Sequence, residues 1–333
     1  MEINQIPLTD RYGRRLNYLR ISVTDRCNLR CLYCMPHEGI KKLRHGAVLT
    51  YEEILRLAKI AVGLGIEKIR LTGGEPLVRK GIFEFIPKLT ALPGLKDVTI
   101  TTNGVYLKGN LGRLRSAGIR KINVSLDTLR PPRYEKITGY DGFEKVMQGI
   151  ELARKLKFHP IKINVVVIKG LNADEILDFA KLSIKAPYFI RFIEYMPIGV
   201  KTGALNFRYV PNDWIKGQLS RIAELVQVSK GALDGPAEYF RFPGAAGQIG
   251  FISALSQHFC HACNRLRLTA TGNLRPCLLS DWEIDLKSPM RAGASDSELA
   301  QIFLKAALNK PRSHFLACEN STPLYGQMSE IGG

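Results

Sequence analysis

Six short stretches of alternating apolar and polar residues recur along the first two-thirds of the chain, separated by amphipathic stretches of helical period. The strand-like stretches are Tyr18–Thr24, Lys68–Thr72, Asp97–Asn103, Lys121–Asp127, Ile161–Ile168 and Phe189–Met196. Between them lie Tyr51–Gly63, Gly81–Leu92, Leu107–Ala117, Phe143–Lys157 and Ala173–Lys185, each helix-like. Strands joined through helices pair in parallel, with the helices packed outside. Eight such units close a barrel; six predict an α/β fold built on a partial (β/α)6 TIM-type barrel, left open.

The pleat says which residues look inward. Leu19, Ile21 and Val23 alternate with Arg20, Ser22 and Thr24; Ile69 and Leu71 alternate with Lys68, Arg70 and Thr72. Val98 and Ile100 alternate with Thr99, Thr101 and Asn103; Ile122, Val124 and Leu126 with Asn123, Ser125 and Asp127; Ile161, Ile163 and Val165 with Lys162 and Asn164. Helices cover the outside, so the apolar phase faces them and the polar phase points inward. Ordinary barrels fill that space with Val, Ile and Leu. Unpartnered polar groups in a dry core cost too much, so the interior is expected to be a wet or ligand-filled cavity. An antiparallel sheet with its polar face to water is the competing reading. The helix between each pair of strands argues against it.

With 333 residues the chain has room for two units, or one barrel with additions. A hydrophobic fraction of 45% excludes disorder, collagen and coiled coil as the main architecture. No apolar run approaches the ~18 residues of a membrane span, and Met1–Asn17 lacks the apolar core of a signal peptide. A cytoplasmic protein without a membrane partner is expected. The net charge of +18 favours polyanions, among them phosphorylated small molecules and nucleic acid. Its basic residues are scattered, so most read as solvated surface and nucleic acid is not the expected partner. After Pro197 the alternation weakens. Loops and short strands are expected through Ala232–Gly250, a cysteine-rich stretch at Phe259–Leu278, a helix at Ser295–Ala307 and a tail at Pro311–Gly333. The division expected is a barrel over 1–200 and a C-terminal region over 201–333.

Six of the seven cysteines fall in two triplets. In a reducing compartment that points to metal rather than disulfides. Cys27, Cys31 and Cys34 have C-x3-C-x2-C spacing after the first strand, at the end of a barrel strand where active sites gather. Three thiolates suit a cubane iron–sulfur cluster with one iron left open; zinc would need a fourth ligand such as His37. The second strand ends in Thr72-Gly73-Gly74-Glu75-Pro76, whose glycines admit close backbone approach to a ligand. Cys260, Cys263 and Cys277 have C-x2-C-x13-C spacing; a zinc knot completed by His261, His258 or Cys318 and a second cluster both remain open. Cys318 otherwise reads as a free thiol, and His159, His258 and His314 as packing or surface. No G-x4-G-K-[ST] loop exists, so side chains would have to hold any triphosphate. Arg265 and Arg267 would share one face if their segment is extended.

The run from Tyr18 through Cys27-Asn-Leu-Arg-Cys31-Leu-Tyr-Cys34-Met-Pro, with the Gly-Gly-Glu-Pro turn, resembles the radical S-adenosylmethionine (SAM) superfamily. Gly250-Phe-Ile-Ser253, Cys260-x-x-Cys263-Asn-Arg-Leu-Arg-Leu268 and Leu274-Arg-Pro-Cys277-Leu narrow it. They resemble the GTP 3′,8-cyclases of molybdenum cofactor biosynthesis, from Asp10-Arg-Tyr-Gly13 to Gly332-Gly333. The resemblance implies two 4Fe–4S clusters, one on each triplet. SAM would bind the first open iron and be cleaved by electron transfer to methionine and a 5′-deoxyadenosyl radical. Guanine of GTP would bind the second open iron. Tyr33, Gly74, Ser125 and Met196 would contact SAM; Arg20, Arg70, Thr101, Lys162 and the Arg265-Leu266-Arg267 segment would contact GTP. Arg265 or Arg267 would stabilise charge or donate a proton, and the Gly332-Gly333 tail would enter the active site. Arg20, Arg70, Thr101, Ser125 and Lys162 fall on the inward phase, and Met196 ends the sixth strand in phase with Glu194. A lyase-class cyclase follows, with a reducing electron donor and product hand-off to a cyclic pyranopterin monophosphate synthase; a homodimer is compatible. The rivals are a radical SAM enzyme acting on RNA or a peptide with an auxiliary cluster, and a non-catalytic zinc-dependent nucleic-acid-binding protein.

Overall fold

The computed structural model describes residues 7–34, 43–196, 198, 208–229, 231, 233–314 and 328–331. Six strands, β1 (Tyr18–Ser22), β2 (Lys68–Thr72), β3 (Asp97–Thr102), β4 (Ile122–Ser125), β5 (Ile161–Lys169) and β6 (Tyr188–Glu194), pair in parallel in chain order. Between them run α1 (Tyr51–Gly63), α2 (Ile82–Thr90), α3 (Leu107–Ser116), α4 (Pro131–Thr138), α5 (Phe143–Lys155) and α6 (Ile176–Lys185). The partial barrel expected from the alternation is therefore present. Helix α1 starts where Thr50 and Glu53 form a reciprocal cap, and it buries Ile54, Leu57, Ala58 and Ala61 at helical spacing. Helix α4 is an addition to the sequence reading. Its Pro131-Pro132 start looks like a turn, yet proline suits the first helical position, and Gly139 ends the helix in the left-handed conformation.

The C-terminal region extends the same sheet at both open edges. Its strands are β7 (Arg208–Tyr209), β8 (Val226–Val228), β9 (Glu238–Arg241), β10 (Gln248–Ile252), β11 (Arg265–Leu268), β12 (Asn273–Arg275) and β13 (Ile284–Asp285); its helices are α7 (Asn212–Leu219), α8 (Lys287–Arg291), α9 (Asp296–Leu308) and α10 (Met328–Ile331). The strand order is β13-β12-β11-β1-β2-β3-β4-β5-β6-β10-β9-β8, with β7 paired to β5. Strand β11 lies parallel to β1, with Arg20 opposite Arg267, and β10 lies parallel to β6. Strands of two to five residues are too short to display a period, which is why this segment reads mostly as loop. Among the described residues no helix is long and apolar enough to cross a membrane.

The pleat orients as the sequence predicts. Leu19, Ile21, Ile69, Leu71, Val98, Ile100, Ile122, Val124, Ile161, Ile163 and Val165 enter one apolar core beneath the helices. Their polar neighbours turn to the other face, where Arg20, Ser22, Lys68, Arg70, Thr99, Asn123 and Lys162 are nevertheless buried.

Candidate active site

A cavity of about 300 Å³ opens at the C-terminal ends of β1 to β6, and all six cysteines of the two triplets line it. The first triplet comes from the loop after β1. The second comes from the segment entering β11 (Cys260, Cys263) and the exit of β12 (Cys277).

The first loop is braced from two sides. Arg30 and Leu32 donate their backbone N–H groups to the carbonyls of Thr138 (2.8 Å) and Ile137 (2.9 Å) at the end of α4. On the other side Gly74 N–H donates to Thr24 O and Glu75 N–H to Arg26 O, both at 2.8 Å. The glycines thus bring the turn after β2 against the backbone of the cysteine loop itself. The buried Glu75 carboxylate accepts from Leu77 N (3.0 Å), Thr102 Oγ1 (2.8 Å) and Asn103 N (2.7 Å), while burial pushes its pKa up to about 7. Cys27 Sγ accepts from Leu29 N (3.4 Å) and Asn103 Nδ2 (3.8 Å). Tyr33 faces the cavity and donates its hydroxyl to Asp127 Oδ2 at 2.5 Å; burial lifts Asp127 to about 6.

The donor set fits an iron–sulfur cluster. Burial, then the neighbouring Cys27 and Asp127, push the Cys34 thiol up to about 12; burial and Cys34 raise Cys31 too. Buried thiols that raise one another need a cationic partner to ionise together, and a cluster of iron ions supplies it. Among the described residues no three His, Cys, Asp or Glu side chains converge as they would on one metal ion. Thiolates on a cubane each take a different iron and stand farther apart than that. In the second triplet, burial pushes Cys263 up, but Lys310 and Arg265 outweigh it and bring the thiol down to about 6.

Between the triplets the wall is cationic. Arg20, Arg70, Arg191, Arg265 and Arg267 line the cavity, with Thr101 and Ser125. Arg265 and Arg267 stand on the extended β11, on one face, as their spacing predicts. Burial, then Arg265, lower Arg267 to about 9; burial and Arg267 likewise lower Arg20. Arg70 bonds to Thr99 (3.2 Å) and Arg191 to Asn123 (2.7 Å), and among the described residues no carboxylate pairs with either. Five buried polar atoms of the cavity lining have no hydrogen-bond partner: Tyr18 OH, Thr101 Oγ1, Asn164 Oδ1, Arg191 Nε and His314 Nδ1. Uncompensated cations beside orphaned polar atoms suit a polar, anionic ligand. Arg191 escaped the sequence reading, although it sits on the inward phase of β6.

Several expectations need correcting. Leu266 alternates with the two arginines and is fully buried in the apolar core, so its side chain does not face the cavity. Lys162 is inward but lies off the cavity wall. Its Nζ stands 3.4 Å from Asp234 Oδ1 and over the Tyr239 ring, and burial, then Arg191, bring it down to about 7. Met196 reaches the cavity, but not through strand phase. Glu194 points to the core side with Ile190 and Phe192 and accepts from Asn212 N (3.1 Å), Leu255 N (2.8 Å) and Ser256 N (2.9 Å). Strand β6 ends at Glu194, so the pleat does not extend to Met196. His258 and His314 take the packing alternative of their reading: their rings meet at 5.3 Å on the cavity wall, which Cys260 also lines. At the chain's end Met328 lines the cavity, and Ile331 packs with Ile198 and Leu279. Gly332, Gly333, His37 and Cys318 lie outside the described residues.

Residues 21–183 match the Radical SAM superfamily and residues 188–316 match Molybdenum Cofactor Synthesis C. The chain is 49% identical over 326 residues to a GTP 3′,8-cyclase of Moorella thermoacetica, covering 98% of this chain and 100% of that protein. It is 48% identical over 328 residues to a GTP 3′,8-cyclase of Pelotomaculum thermopropionicum, with the same coverage. Streptococcus suis SuiB bound to S-adenosylmethionine superposes with a TM-score of 0.59 at 14% identity, over 90% of this chain and 66% of that one. Native anSMEcpe with bound AdoMet and Kp18Cys peptide gives 0.54 at 17% identity, over 89% and 81%. At such identities the likeness is one of fold.

Proposed function

This chain belongs to the GTP 3′,8-cyclase family of radical SAM enzymes in molybdenum cofactor biosynthesis, and from that membership we propose how its cavity works. The reaction is conversion of GTP to (8S)-3′,8-cyclo-7,8-dihydroguanosine 5′-triphosphate, a lyase-class cyclisation. One observation carries the reading: two cysteine triplets share one cavity whose wall between them is arginine-rich. In this reading residues 1–200 form the partial barrel that carries the first triplet, and residues 201–333 add the second triplet and the Arg265–Arg267 segment. Bound on Cys27, Cys31, Cys34 and on Cys260, Cys263, Cys277, two 4Fe–4S clusters supply the electron for SAM cleavage and an open iron for guanine. Tyr33, Gly74, Ser125 and Met196 hold SAM. Arg20, Arg70, Arg265 and Arg267, with Thr101, hold GTP through hydrogen bonds to its polar groups, and Lys162, inward beside the cavity, takes the end of the triphosphate. Enclosure by the wall keeps bulk water from the reacting centre. A one-electron donor and a downstream synthase complete the sequence.

Anaerobic incubation with GTP, SAM and a strong reductant is expected to give 5′-deoxyadenosine and a cyclised nucleotide in equal amounts. Turnover of RNA or a peptide in place of GTP would favour the rival radical SAM reading. Zinc in a colourless anaerobic preparation would favour the non-catalytic one.

Lys162 adds a pH signature. Its depressed value of about 7 leaves it mostly neutral at pH 8.5. A triphosphate brought to its ammonium favours the charged form. GTP binding at that pH should therefore take up about one proton per chain. Calorimetric heats would then depend on the buffer's ionisation enthalpy, and Lys162→Met would remove that dependence. Heats independent of buffer would mean that no phosphate meets Lys162.

A further inference from the structure

Two buried cations from opposite ends of the chain hold the three arms of the second triplet. Lys310, two residues beyond α9, is 3% exposed. Its ammonium donates to the carbonyls of Arg265 (2.9 Å) and Pro276 (2.5 Å). Arg265 stands two residues after Cys263, and Pro276 directly precedes Cys277. One side chain therefore ties two ligand-bearing arms together. Arg14 takes the third: its Nη1 donates to the Cys260 carbonyl (2.6 Å), and its Nη2 to Pro311 (2.7 Å), next to Lys310.

The two cations differ in charge balance. Arg14 is neutralised by Asp10 at 2.5 Å. Among the described residues no carboxylate pairs with Lys310; both recorded partners are neutral carbonyls. A buried ammonium without a counter-charge is strongly disfavoured. A fold that keeps one beside three thiols is built for an anion there.

We propose that Lys310 is a positioning residue for the cluster on Cys260, Cys263 and Cys277. It spaces two of the three thiolates through their backbone and supplies the positive charge that balances them. The proposal rests on the reading that this triplet holds an iron–sulfur cluster. A nearby cation stabilises the reduced, more negative state of a cluster and so raises its potential. Sequence inspection sees in Lys310 only a basic residue following a helix, ordinarily a solvated one.

The test uses the full chain, reconstituted anaerobically. Wild type should hold roughly eight irons, released to a ferrous chelator in two phases. In Lys310→Met, iron of the second site should leave roughly 10–100-fold faster, while the first-site phase keeps its wild-type rate. Lys310→Arg should restore the slow phase. Lys310→Gln keeps amide donors and drops the charge. It should fold, hold its iron and show a second-site midpoint potential shifted to more negative values. Wild-type release in Lys310→Met, or a wild-type potential in Lys310→Gln, overturns the proposal. A wild-type chain that takes up only roughly four irons removes the cluster reading beneath it, and the proposal falls with it.

Discussion

Alanine at Gly74 is expected to empty the first cysteine triplet of iron and abolish SAM cleavage. A Cβ there would stand 2.3 Å from Arg26 O, 2.5 Å from Arg26 C and 2.9 Å from Asp25 O. All three are backbone atoms of the cysteine loop, so no side chain can swing aside. The turn or the loop must retreat, breaking the Gly74–Thr24 and Glu75–Arg26 hydrogen bonds that place Cys27. Overpacking of this kind costs about 3 kcal/mol, and a catalytic group displaced by an ångström loses about a hundredfold in rate. Gly109→Ala is the control. It lies in α3 with nothing within 4 Å of the added Cβ, and should be neutral or slightly stabilising. Wild-type iron content and cleavage in Gly74→Ala would show that the turn yields without moving the cluster loop.

That turn marks how far the sequence could be read. Its glycines invite the reading of close approach to a ligand, but which backbone they approach depends on the pairing of β1 with β2, a contact between residues fifty apart. What the sequence does disclose is local and periodic. The alternation of Arg20 with Leu19 and Ile21 is enough to place the arginine inside, because helices cover the other face. The same reasoning places Arg191 inside, one step out of phase with Glu194. That buried carboxylate looks inward on paper, yet backbone N–H groups from Asn212, Leu255 and Ser256 satisfy it on the core side. Lys310 left no trace at all. Its role depends on two carbonyls, 45 and 34 residues away, and main-chain acceptors carry no sequence signature.

The arginine wall implies opposite effects on stability and binding, and Arg70→Met should separate them. Arg70 is 7% exposed, bonded to Thr99, stacked over the Tyr18 ring at 5.5 Å and close to other cations; no described carboxylate balances it. Methionine has similar length, leaves no buried donor behind and removes one of several like charges crowded into one cavity. Replacing a buried charge by a well-packed apolar chain is commonly neutral or stabilising, by about 1–4 kcal/mol. Ligand-free Arg70→Met should therefore melt as high as wild type or a few degrees higher. GTP affinity should move the other way. A phosphate that loses a desolvated guanidinium gives up about 3 kcal/mol, a factor of about a hundred in Kd. Equilibrium binding of GTP and thermal denaturation on the same ligand-free preparation check both halves. Joint loss of stability and affinity would mean that Arg70 holds the barrel together. Joint retention would mean that the triphosphate lies elsewhere. Only a divergence shows a charge buried for its ligand, at the expense of the empty fold.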